Sequence, residues 1–531
     1  MSDAYSLTIV QKALEQICNE MTITLRKTSF SPNIKERMDF SCALFTANGE
    51  LMASKEGIPV HLGSMEDAVQ EVIKKFNLNS ISIDKGDIII HNKPNEGGTH
   101  LPDINLISPI YTPENTESPT FYAACRAHHA DVGGKTPGSM PSYSETLFEE
   151  GIQIPGVKLW TKGKINIDLM DILLSNVRTP RERQGDFFAQ RSALLIAEKR
   201  LLSLLEKYSV TVLEKYVKEL FEKSTTAMKQ YLSQIPDDIK AKATDHLDND
   251  GSNSESIPIL VTITKPSNEE ILIDFTGSSD QRFANCNATS AITKSCTYFV
   301  FRYLIGDFPT NAGMWKPIKF ILPGHSIVYA SYPSATSSGN VETSQRIVDV
   351  LFKALSSIPV LQNSIPAASQ GTMNNVTIGG YDKGSFFSYY ETIAGGSGAN
   401  ALGDGESAVH TNMTNTLNTP IEALEMSYPM RITQYKIREH SGGKGQFNGG
   451  DGLIREYEIL CERAQISMQS ERRIFSPYGL FGGENGSKGS NTFISNEQIE
   501  EQLDGRFTRI LSKGDKVRIL TPGGGGFKNK S

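Results

Sequence analysis

The chain has 531 residues, of which 38% are hydrophobic and 21% charged, and its formal net charge is −7. A length well above the ~250–300 residues at which single cores stop growing predicts two or three domains. The acidic balance and the lack of a lysine- or arginine-rich stripe exclude a nucleic-acid-binding surface. No apolar run of about 18 residues suggests a membrane span, and the polar start lacks a signal-peptide core. We therefore expect a cytoplasmic globular protein without a membrane partner.

The N-terminal third is predicted to combine helices with short strands. A first helix is indicated by apolar residues that recur at steps of three and four, namely Leu7, Val10, Leu14, Ile17, Met21 and Leu25. A second helix is predicted over 63–76, and strands are predicted over 87–91, 104–111 and 120–127. A helical region follows over 187–235, with a break near Tyr208 and an end at Pro236. Its apolar stripe suits either the core or a partner surface, and we favour the core.

After residue 240 the composition changes to short β-type runs and abundant glycine. The predicted strands cover 257–264, 271–275, 318–322, 385–390, 455–460 and 492–494. The glycine run 523–526 is interpreted as either a flexible turn or a loop lining a site. We therefore predict an α+β protein with three parts. These are a mixed α/β N-terminal domain over 1–180, a helical segment over 181–240, and a β-rich, glycine-rich C-terminal domain over 241–531.

The six cysteines, at positions 18, 42, 125, 286, 296 and 461, are scattered along the chain. Their spacing matches neither a zinc knuckle nor a disulfide framework, so reduced and mostly buried thiols are expected. Cys125 precedes His128 by three residues. Because Cys125 lies on a predicted strand, a small core residue is favoured over a nucleophile.

Candidate metal ligands are concentrated between residues 100 and 131. His100, Asp103, His128, His129 and Asp131 fall within 32 residues, and the loops that carry them contain glycine and proline. Imidazole and carboxylate groups are suitable ligands for Zn²⁺, Mn²⁺ and Fe²⁺. The spacing matches no fixed signature, so a hydrogen-bonded cluster at a domain seam remains an equal alternative. Since Pro102 disfavours the helical region for the residue before it, His100 and Asp103 are expected to share a turn.

Two common catalytic motifs are absent from the sequence. There is no phosphate-binding G-x-x-x-x-G-K-[ST] loop and no G-x-S-x-G nucleophile elbow. The glycine-rich segments 395–398 and 441–445 lack a strand–helix context and are more typical of tight turns. If the reaction consumes ATP, the nucleotide is therefore expected to bind elsewhere.

Ordered motifs along almost the whole chain carry a family resemblance. They occupy 37–41, 97–103, 126–140, 150–155, 176–180, 185–186, 274–277, 410–416, 420–422, 441–445 and 449–452. In these segments the chain resembles the hydantoinase B family, the second subunit of ATP-dependent hydantoinases and 5-oxoprolinases. The acetone and acetophenone carboxylases are more distant relatives.

The resemblance implies a metal site and names its ligands. The implied ligands are Asp39, His100, Asp103 and His128, with His128 preferred to His129 because it matches the family's histidine. Asp131 is then either an alternative ligand or the carboxylate that orients His128 or receives a proton from water. Without the resemblance, Asp39 would be interpreted as a turn or capping residue.

The resemblance also implies further site residues and a partner. His129, Glu150 and His410 are candidates for handling substrate or protons, and for His410 a structural hydrogen bond is the favoured alternative. A hydantoinase A-type ATPase subunit is expected to bind ATP and Mg²⁺ and to phosphorylate the oxygen of a small cyclic amide. A divalent transition metal (Zn, Mn or Fe) on this chain would then lower the pKa of a bound water by several units.

Two other functions are kept as alternatives. The first is a subunit of an ATP-dependent ketone carboxylase of the acetone or acetophenone type, which the modest chain length disfavours. The second is a structural partner of the ATPase subunit, which the intact set of candidate ligands disfavours.

Overall fold

Helices and sheets alternate along the chain in the computed structural model, which describes residues 4–55, 57–267 and 269–529. The architecture is α+β, as predicted. The helices are α1 (Ala4–Thr28), α2 (Pro32–Lys35), α3 (Ser64–Leu78), α4 (Ile167–Ser175), α5 (Pro180–Leu205), α6 (Val210–Leu232), α7 (Ser290–Ile305), α8 (Ala312–Trp315), α9 (Ser344–Leu355) and α10 (Ile421–Ser427).

The N-terminal sheet has seven strands, all paired antiparallel. They are β1 (Phe40–Thr46), β2 (Leu51–Ser54), β3 (Ile88–His91), β4 (Asp103–Ile110), β5 (Phe121–His128), β6 (Val157–Thr161) and β7 (Lys164–Ile165). Their order across the sheet is β2-β1-β5-β4-β3-β6-β7. Every residue of β4 and β5 is buried, because both faces of these central strands are covered. The three strands predicted in this region are confirmed within one or two residues.

Three further sheets occupy the C-terminal half of the described chain. Their strands are β8 (Lys240–Leu247), β9 (Ile257–Ser267), β10 (Glu270–Asp274), β11 (Ile318–Ile321), β12 (Asn375–Asp382), β13 (Ser385–Glu391), β14 (Met430–Arg438), β15 (Gly452–Ile459), β16 (Arg463–Gln469), β17 (Ser490–Ile494), β18 (Glu500–Leu503), β19 (Arg506–Ser512) and β20 (Lys516–Leu520). The orders are β11-β10-β9-β8, β13-β12-β16-β19 and β14-β15-β20-β17-β18.

The predicted helical faces pack against the N-terminal sheet. On α1, Val10, Leu14, Ile17, Met21 and Leu25 are all buried, while α1 contacts α5 and strand β1. This burial confirms the apolar face predicted from the spacing of these residues.

The long helical region is divided in two, as predicted. Helix α5 ends at Leu205, and α6 begins after Ser209, whose side chain accepts a hydrogen bond from the amide of Val212. Leu201, Leu213 and Val217 are buried in the same core as the first sheet. The apolar stripe therefore belongs mostly to the core.

Four helices, α7 to α10, lie within the region predicted to be β-rich, and α7 and α9 are the longest of them. Helix α7 is rich in β-branched and aromatic residues, which favour strands. It forms because the side chain of Thr289 caps its first turn and because Ile292, Cys296 and Val300 are buried. Helix α9 has a polar side in its sequence, but that side is also buried, because Arg346 and Asp349 pair with each other inside the protein.

The glycine run 523–526 is neither a flexible turn nor a loop lining the predicted site. A Cβ atom added to Gly523, Gly524 or Gly525 would lie 1.9–2.0 Å from a backbone oxygen of Ser441, Ser397 or Tyr478, respectively. Such distances are far inside van der Waals contact. The run is a buried strip on which backbone segments from several loops pack directly.

The cysteines agree with the prediction. All six are free and buried. Cys125 lies in β5, its sulfur is 3.6 Å from the carbonyl oxygen of Gln190, and burial raises the pKa of its thiol well above the usual value. These surroundings confirm that Cys125 is a core residue. Among the described helices, none is both long and apolar enough to cross a membrane.

Candidate metal centre

Strand pairing brings the predicted ligands to one edge of the N-terminal sheet. In the sheet, β5 lies between β1 and β4, and both pairings are antiparallel. One edge of the sheet therefore carries the start of β1, the end of β5 and the start of β4. Asp103 is directly opposite His128, and the amide of His128 donates to the carbonyl oxygen of Asp39. The turn before β4 adds His100, whose carbonyl oxygen accepts the amide of Asp103, so the predicted shared turn is confirmed.

Three side chains converge at this edge, and we call them the His–Asp–His cluster (His100, Asp103 and His128). Nε2 of His100 is 3.1 Å from Oδ1 of Asp103 and 3.2 Å from Nδ1 of His128. The third side of the triangle, from Nδ1 of His128 to Oδ1 of Asp103, measures 3.4 Å. All three residues are at most 2% exposed.

The triangle has the dimensions of a set of metal ligands. Bonds from zinc to imidazole nitrogen or carboxylate oxygen are about 2.0–2.2 Å long, so adjacent ligand atoms around one ion lie roughly 3.0–3.5 Å apart. Within the described chain these are the residues whose His, Cys, Asp or Glu ligand atoms group closely enough to hold an ion. The residues present therefore fit a divalent metal.

The electrostatics of the cluster favour ligand forms of its side chains. Burial alone would raise the pKa of Asp103, but the adjacent imidazoles of His100 and His61 keep that pKa well below its usual value. Burial lowers the pKa of His128, an effect partly offset by Asp103 and Asp39. At neutral pH the carboxylate of Asp103 is therefore ionised and His128 is neutral, which are the states that bind metal.

His61 is a neighbour of the cluster that the sequence analysis missed. Its Nε2 is 3.4 Å from Oδ2 of Asp103, and its Nδ1 is 2.9 Å from the hydroxyl of Ser41. The hydroxyl of Thr99 donates to the same Oδ2 atom at 2.6 Å. Together His61 and Thr99 fix the carboxylate on the side away from the other two imidazoles. The available signal was a histidine in a short loop between Gly57 and Gly63.

The C-terminal half contributes two more neighbours. Asn340 lies in a π-helical turn, Gly339–Thr343, and its Nδ2 is 3.1 Å from Nε2 of His100. Turns of this kind often occur at functional sites. The ring of Tyr390, at the end of β13, stacks on His128 with 4.2 Å between centroids. Its hydroxyl donates to Asn375. The cluster is thus enclosed between the two halves of the chain.

Asp39 lies beside the cluster rather than within it. The residue is buried, and its Oδ2 is 3.8 Å from Nη1 of Arg37. Its backbone oxygen holds the amide of His128, and its charge acts on the pKa of that imidazole. Its role as a fourth ligand remains a prediction.

His129 points to the opposite side of strand β5. Its Nε2 is 3.0 Å from the side-chain oxygen of Gln190, and its ring packs on Phe187, both on α5. Burial and the charge of Arg183 lower the pKa of His129 to about 4. This position favours His128 over His129 as the ligand, because successive residues of a strand face opposite sides.

Asp131 binds the loop that follows β5. Its two carboxylate oxygens accept from the amides of Gly133 and Gly138 and from the guanidinium of Arg178, at 3.0 Å for the last. These bonds shape the glycine turn instead of orienting His128. A role in proton transfer remains a prediction.

Glu150 is buried and His410 is half-buried, and both lie in other surroundings. The carboxylate of Glu150 accepts from the amides of Thr336 and Ser337, which precede the turn that carries Asn340. Burial raises its pKa, although these hydrogen bonds act in the opposite direction. Burial and the charge of Arg37 lower the pKa of His410 to about 4. These hydrogen bonds connect Glu150 to the segment that leads to Asn340.

Comparisons with known proteins agree with this architecture. The family model described as hydantoinase B/oxoprolinase matches residues 3–530. An uncharacterised protein of Methanocaldococcus jannaschii is 42% identical, over 99% of this chain and 90% of its own length. The 5-oxoprolinase 1 of Arabidopsis thaliana is 36% identical over 99% of this chain, but the match covers 42% of that protein. The chain thus spans about two fifths of the length of this 5-oxoprolinase.

A solved structure shares the fold. The crystal structure of an ATP-dependent caprolactamase from Pseudomonas jessenii superposes with a TM-score of 0.91 and 26% sequence identity. The match covers 100% of this chain and 92% of that one.

Proposed function

Because the chain belongs to the hydantoinase B/oxoprolinase family, we propose that it is the hydrolytic component of an ATP-dependent cyclic amide hydrolase. The observation that carries the proposal is the triangle of ligand atoms formed by His100, Asp103 and His128, with sides of 3.1–3.4 Å. The names of the similar proteins, a 5-oxoprolinase and a caprolactamase, support a cyclic amide as the substrate class.

An unstrained cyclic amide is difficult to hydrolyse for two reasons. Its carbonyl carbon is stabilised by resonance, and its nitrogen is a poor leaving group. Transfer of the γ-phosphate of ATP to the amide oxygen would remove the resonance and make the carbon susceptible to water. We assign this step, with ATP and Mg²⁺, to a hydantoinase A-type ATPase partner. The greater length of the 5-oxoprolinase leaves room for such a component in the same chain.

The residues of this chain would hold a divalent transition metal, either Zn, Mn or Fe. When bound, such an ion supplies a water of lowered pKa at neutral pH. His100, Asp103 and His128 are the ligands, and Asp39 is the fourth candidate. His61 and Thr99 hold Asp103 in place, at 3.4 and 2.6 Å. Tyr390 covers His128 and keeps bulk water from that face.

The contacts of Asp131, His129 and Glu150 favour positioning roles. Asp131 shapes the turn after β5, His129 anchors β5 to α5, and Glu150 holds the segment before Asn340. Each side chain is already engaged in hydrogen bonds within the protein. Their removal is therefore expected to disturb the geometry of the cluster rather than to remove a proton carrier.

Elemental analysis of the purified chain tests the metal site directly. We expect about one transition-metal ion per wild-type chain and its loss in His100→Ala and Asp103→Ala, because binding needs a complete ligand set. His246→Ala is the matched control, since His246 lies on β8 and packs on Phe475. Circular dichroism reports whether each variant remains folded.

Activity is then measured with the ATPase partner, ATP and two cyclic amides, 5-oxoproline and caprolactam. Ring opening should require both chains and should vanish in the two ligand variants. A wild-type chain that stays metal-free after incubation with Zn²⁺, Mn²⁺ and Fe²⁺ would contradict the metal role. Turnover by metal-free protein would contradict the hydrolytic mechanism.

A further inference from the structure

One side chain from the C-terminal half reaches the candidate metal ligands directly. Asn340 is 3% exposed, and its Nδ2 is 3.1 Å from Nε2 of His100. The same Nε2 atom is 3.1 Å from Oδ1 of Asp103 and 3.2 Å from Nδ1 of His128. The amide group of Asn340 is therefore as close to His100 as the other two candidate ligands are. Separations of roughly 3.0–3.5 Å are those of adjacent ligand atoms around one ion.

The two contacts of Nε2 of His100 with Asp103 and Asn340 cannot both be satisfied as hydrogen bonds. A ring nitrogen either donates its proton or accepts one through its lone pair. Nε2 would have to donate to the carboxylate of Asp103 and, at the same time, accept from the Nδ2 group of Asn340. A divalent metal removes this conflict, because it takes the lone pair of Nε2 and binds the carboxylate directly. The Nδ2 group of Asn340 would then face a cation, which repels a hydrogen-bond donor.

The other end of the amide group of Asn340 supplies what a cation requires. Among the atoms of the described residues, Oδ1 of Asn340 finds no hydrogen-bond partner, although it is buried. A buried carbonyl oxygen without a partner is rare, because its loss of hydration is not compensated. A half-turn about the Cβ–Cγ bond exchanges the positions of the oxygen and the nitrogen of a carboxamide. This rotation brings Oδ1 to the position beside His100 that Nδ2 holds.

The backbone that carries Asn340 is fixed without any metal. A Cβ atom added to Gly339 would lie 1.8 Å from the carbonyl oxygen of Asn287, so the chain at this point packs directly on another backbone segment. The carboxylate of Glu150 accepts two amides of the preceding segment 336–337. The amide group of Asn340 is therefore presented to the cluster from a rigid support, and its rotation needs no shift of the backbone.

We propose that Asn340 is a ligand of the metal ion through its amide oxygen Oδ1, so that the site is built from both halves of the chain. The inference rests on the proposed metal centre and adds to it a neutral oxygen ligand from the π-helical turn Gly339–Thr343. A carbonyl oxygen of this kind is a suitable ligand for Mn²⁺. The new ligand is separate from Asp39, which precedes strand β1 in the N-terminal half.

The Mn²⁺ affinities of the wild type, Asn340→Ala and Asn340→Asp test the assignment. Isothermal titration measures them after bound metal has been removed with a chelator. Asn340→Ala should weaken binding at least about tenfold, since even groups that only orient a ligand contribute about 10–100-fold. Asn340→Asp should bind Mn²⁺ at least as tightly as the wild type, because a carboxylate keeps an oxygen at this position. If Asn340 only donated a hydrogen bond to His100, both variants would lose affinity, and this result would overturn the proposal.

Asn491→Ala is the matched control for the loss of a buried asparagine. Asn491 is 0% exposed on strand β17, and its side chain bonds to Arg473, Ser470 and Asp504, none of which belongs to the cluster. The Mn²⁺ affinity of this variant should equal that of the wild type. Circular dichroism shows whether each variant is folded.

A crystal structure of the Mn²⁺-loaded wild type tests the proposal without any substitution. The distance from the ion to Oδ1 of Asn340 should be about 2.0–2.3 Å, as for other oxygen ligands of divalent metals. A distance of more than about 3 Å, which is too long for a metal–oxygen bond, would overturn the proposal even if the variants failed to fold.

The results for Asn340 and for the metal centre are separable. A wild-type chain that binds no metal contradicts the metal centre and, with it, the assignment of Asn340. If Asn340→Ala binds Mn²⁺ as tightly as the wild type, the assignment of Asn340 is overturned and the metal centre of the proposed function stands. If Asn340→Ala loses affinity and Asn340→Asp retains it, but the wild type opens no ring with the partner and ATP, the ligand stands and the proposed function fails.

Discussion

Two buried polar regions of the molecule differ in the kind of side chain that pairs with their carboxylates. In the C-terminal half, three arginines face three acids in a group that we call the arginine network (Arg346, Arg472, Arg506, Asp245, Asp349 and Glu471). Arg472 is 2.8 Å from Asp245, Arg346 is 3.0 Å from Asp349, and Arg506 is 3.0 Å from Glu471. All six residues are less than 10% exposed.

The His–Asp–His cluster is equally buried, but its carboxylate is paired with imidazoles instead of guanidinium groups. Asp103 contacts the imidazoles of His61, His100 and His128 and the hydroxyl of Thr99. An imidazole can release its proton and offer a lone pair to a metal ion, which a guanidinium group cannot do. The arginine network therefore contains permanent counter-ions, whereas in the cluster the proposed metal ion would supply the positive charge.

The largest expected effect comes from removing a cation of the arginine network. Arg472→Met should destabilise the protein by about 3–5 kcal/mol, because the buried carboxylates of Asp245 and Asp349 then share the single guanidinium of Arg346. Asp103→Asn in metal-free protein should change the free energy of unfolding by only about 1 kcal/mol. Urea unfolding of both variants measures the difference. Equal destabilisation would remove the distinction between the two regions.

A smaller effect is expected when His61, which neighbours the cluster, is replaced. His61→Gln should weaken metal binding by about 10–100-fold, because residues that hold a metal-bound carboxylate in place typically contribute that much to affinity. Competition with a fluorescent chelator gives the affinity, and His246→Gln serves as the control. An unchanged affinity would show that His61 does not support the geometry of the metal site.

The smallest effect concerns a neutral buried histidine that has no carboxylate beside it. Burial and then the charges of Arg126, Lys75 and Lys93 lower the pKa of His91 from 6.5 to about 3. The folded state thus binds fewer protons than the unfolded state below pH 6.5. The stability contributed by neutral His91 is fully present above pH 6.5 and is lost as the pH falls towards 3.

A comparison of the wild type with His91→Gln isolates the contribution of His91 to stability. The difference in free energy of unfolding between wild type and His91→Gln should shrink by about 1.4 kcal/mol per pH unit below pH 6. Urea titrations between pH 7 and about pH 5 cover the range in which most of the protein remains folded. Parallel stability curves for the two proteins would show that His91 is protonated in the folded state.

Local pattern was sufficient to predict three of the seven strands of the N-terminal sheet, β3, β4 and β5, and the cluster at its edge. His100 and Asp103 lie in one turn, and His128 ends a strand that pairs with the one starting at Asp103. Both motifs are close in sequence, and antiparallel pairing brings their ends together. The break between α5 and α6 was likewise signalled locally, by Ser209 and its capping side chain.

The remaining neighbours depend on contacts between distant segments. Asn340 is 240 residues from His100 along the chain, and Tyr390 reaches His128 from a different sheet. No local periodicity encodes such contacts. Helix α7 was missed for a related reason, since burial of Ile292 and Cys296 among distant elements outweighs the strand preference of its β-branched residues.

The glycine strip at 523–526 has a consequence for how relatives of this protein are compared. Because neighbouring backbone lies within about 2 Å of where a side chain would begin, every amino acid larger than glycine is excluded there on purely steric grounds. An alignment would then show these positions as invariant, in the same way that it would show catalytic residues. Invariance in the strip would reflect steric exclusion by the neighbouring backbone, and it would not indicate a role in binding or catalysis. For this fold, the search for functional residues is better directed to conserved polar side chains than to conserved glycine.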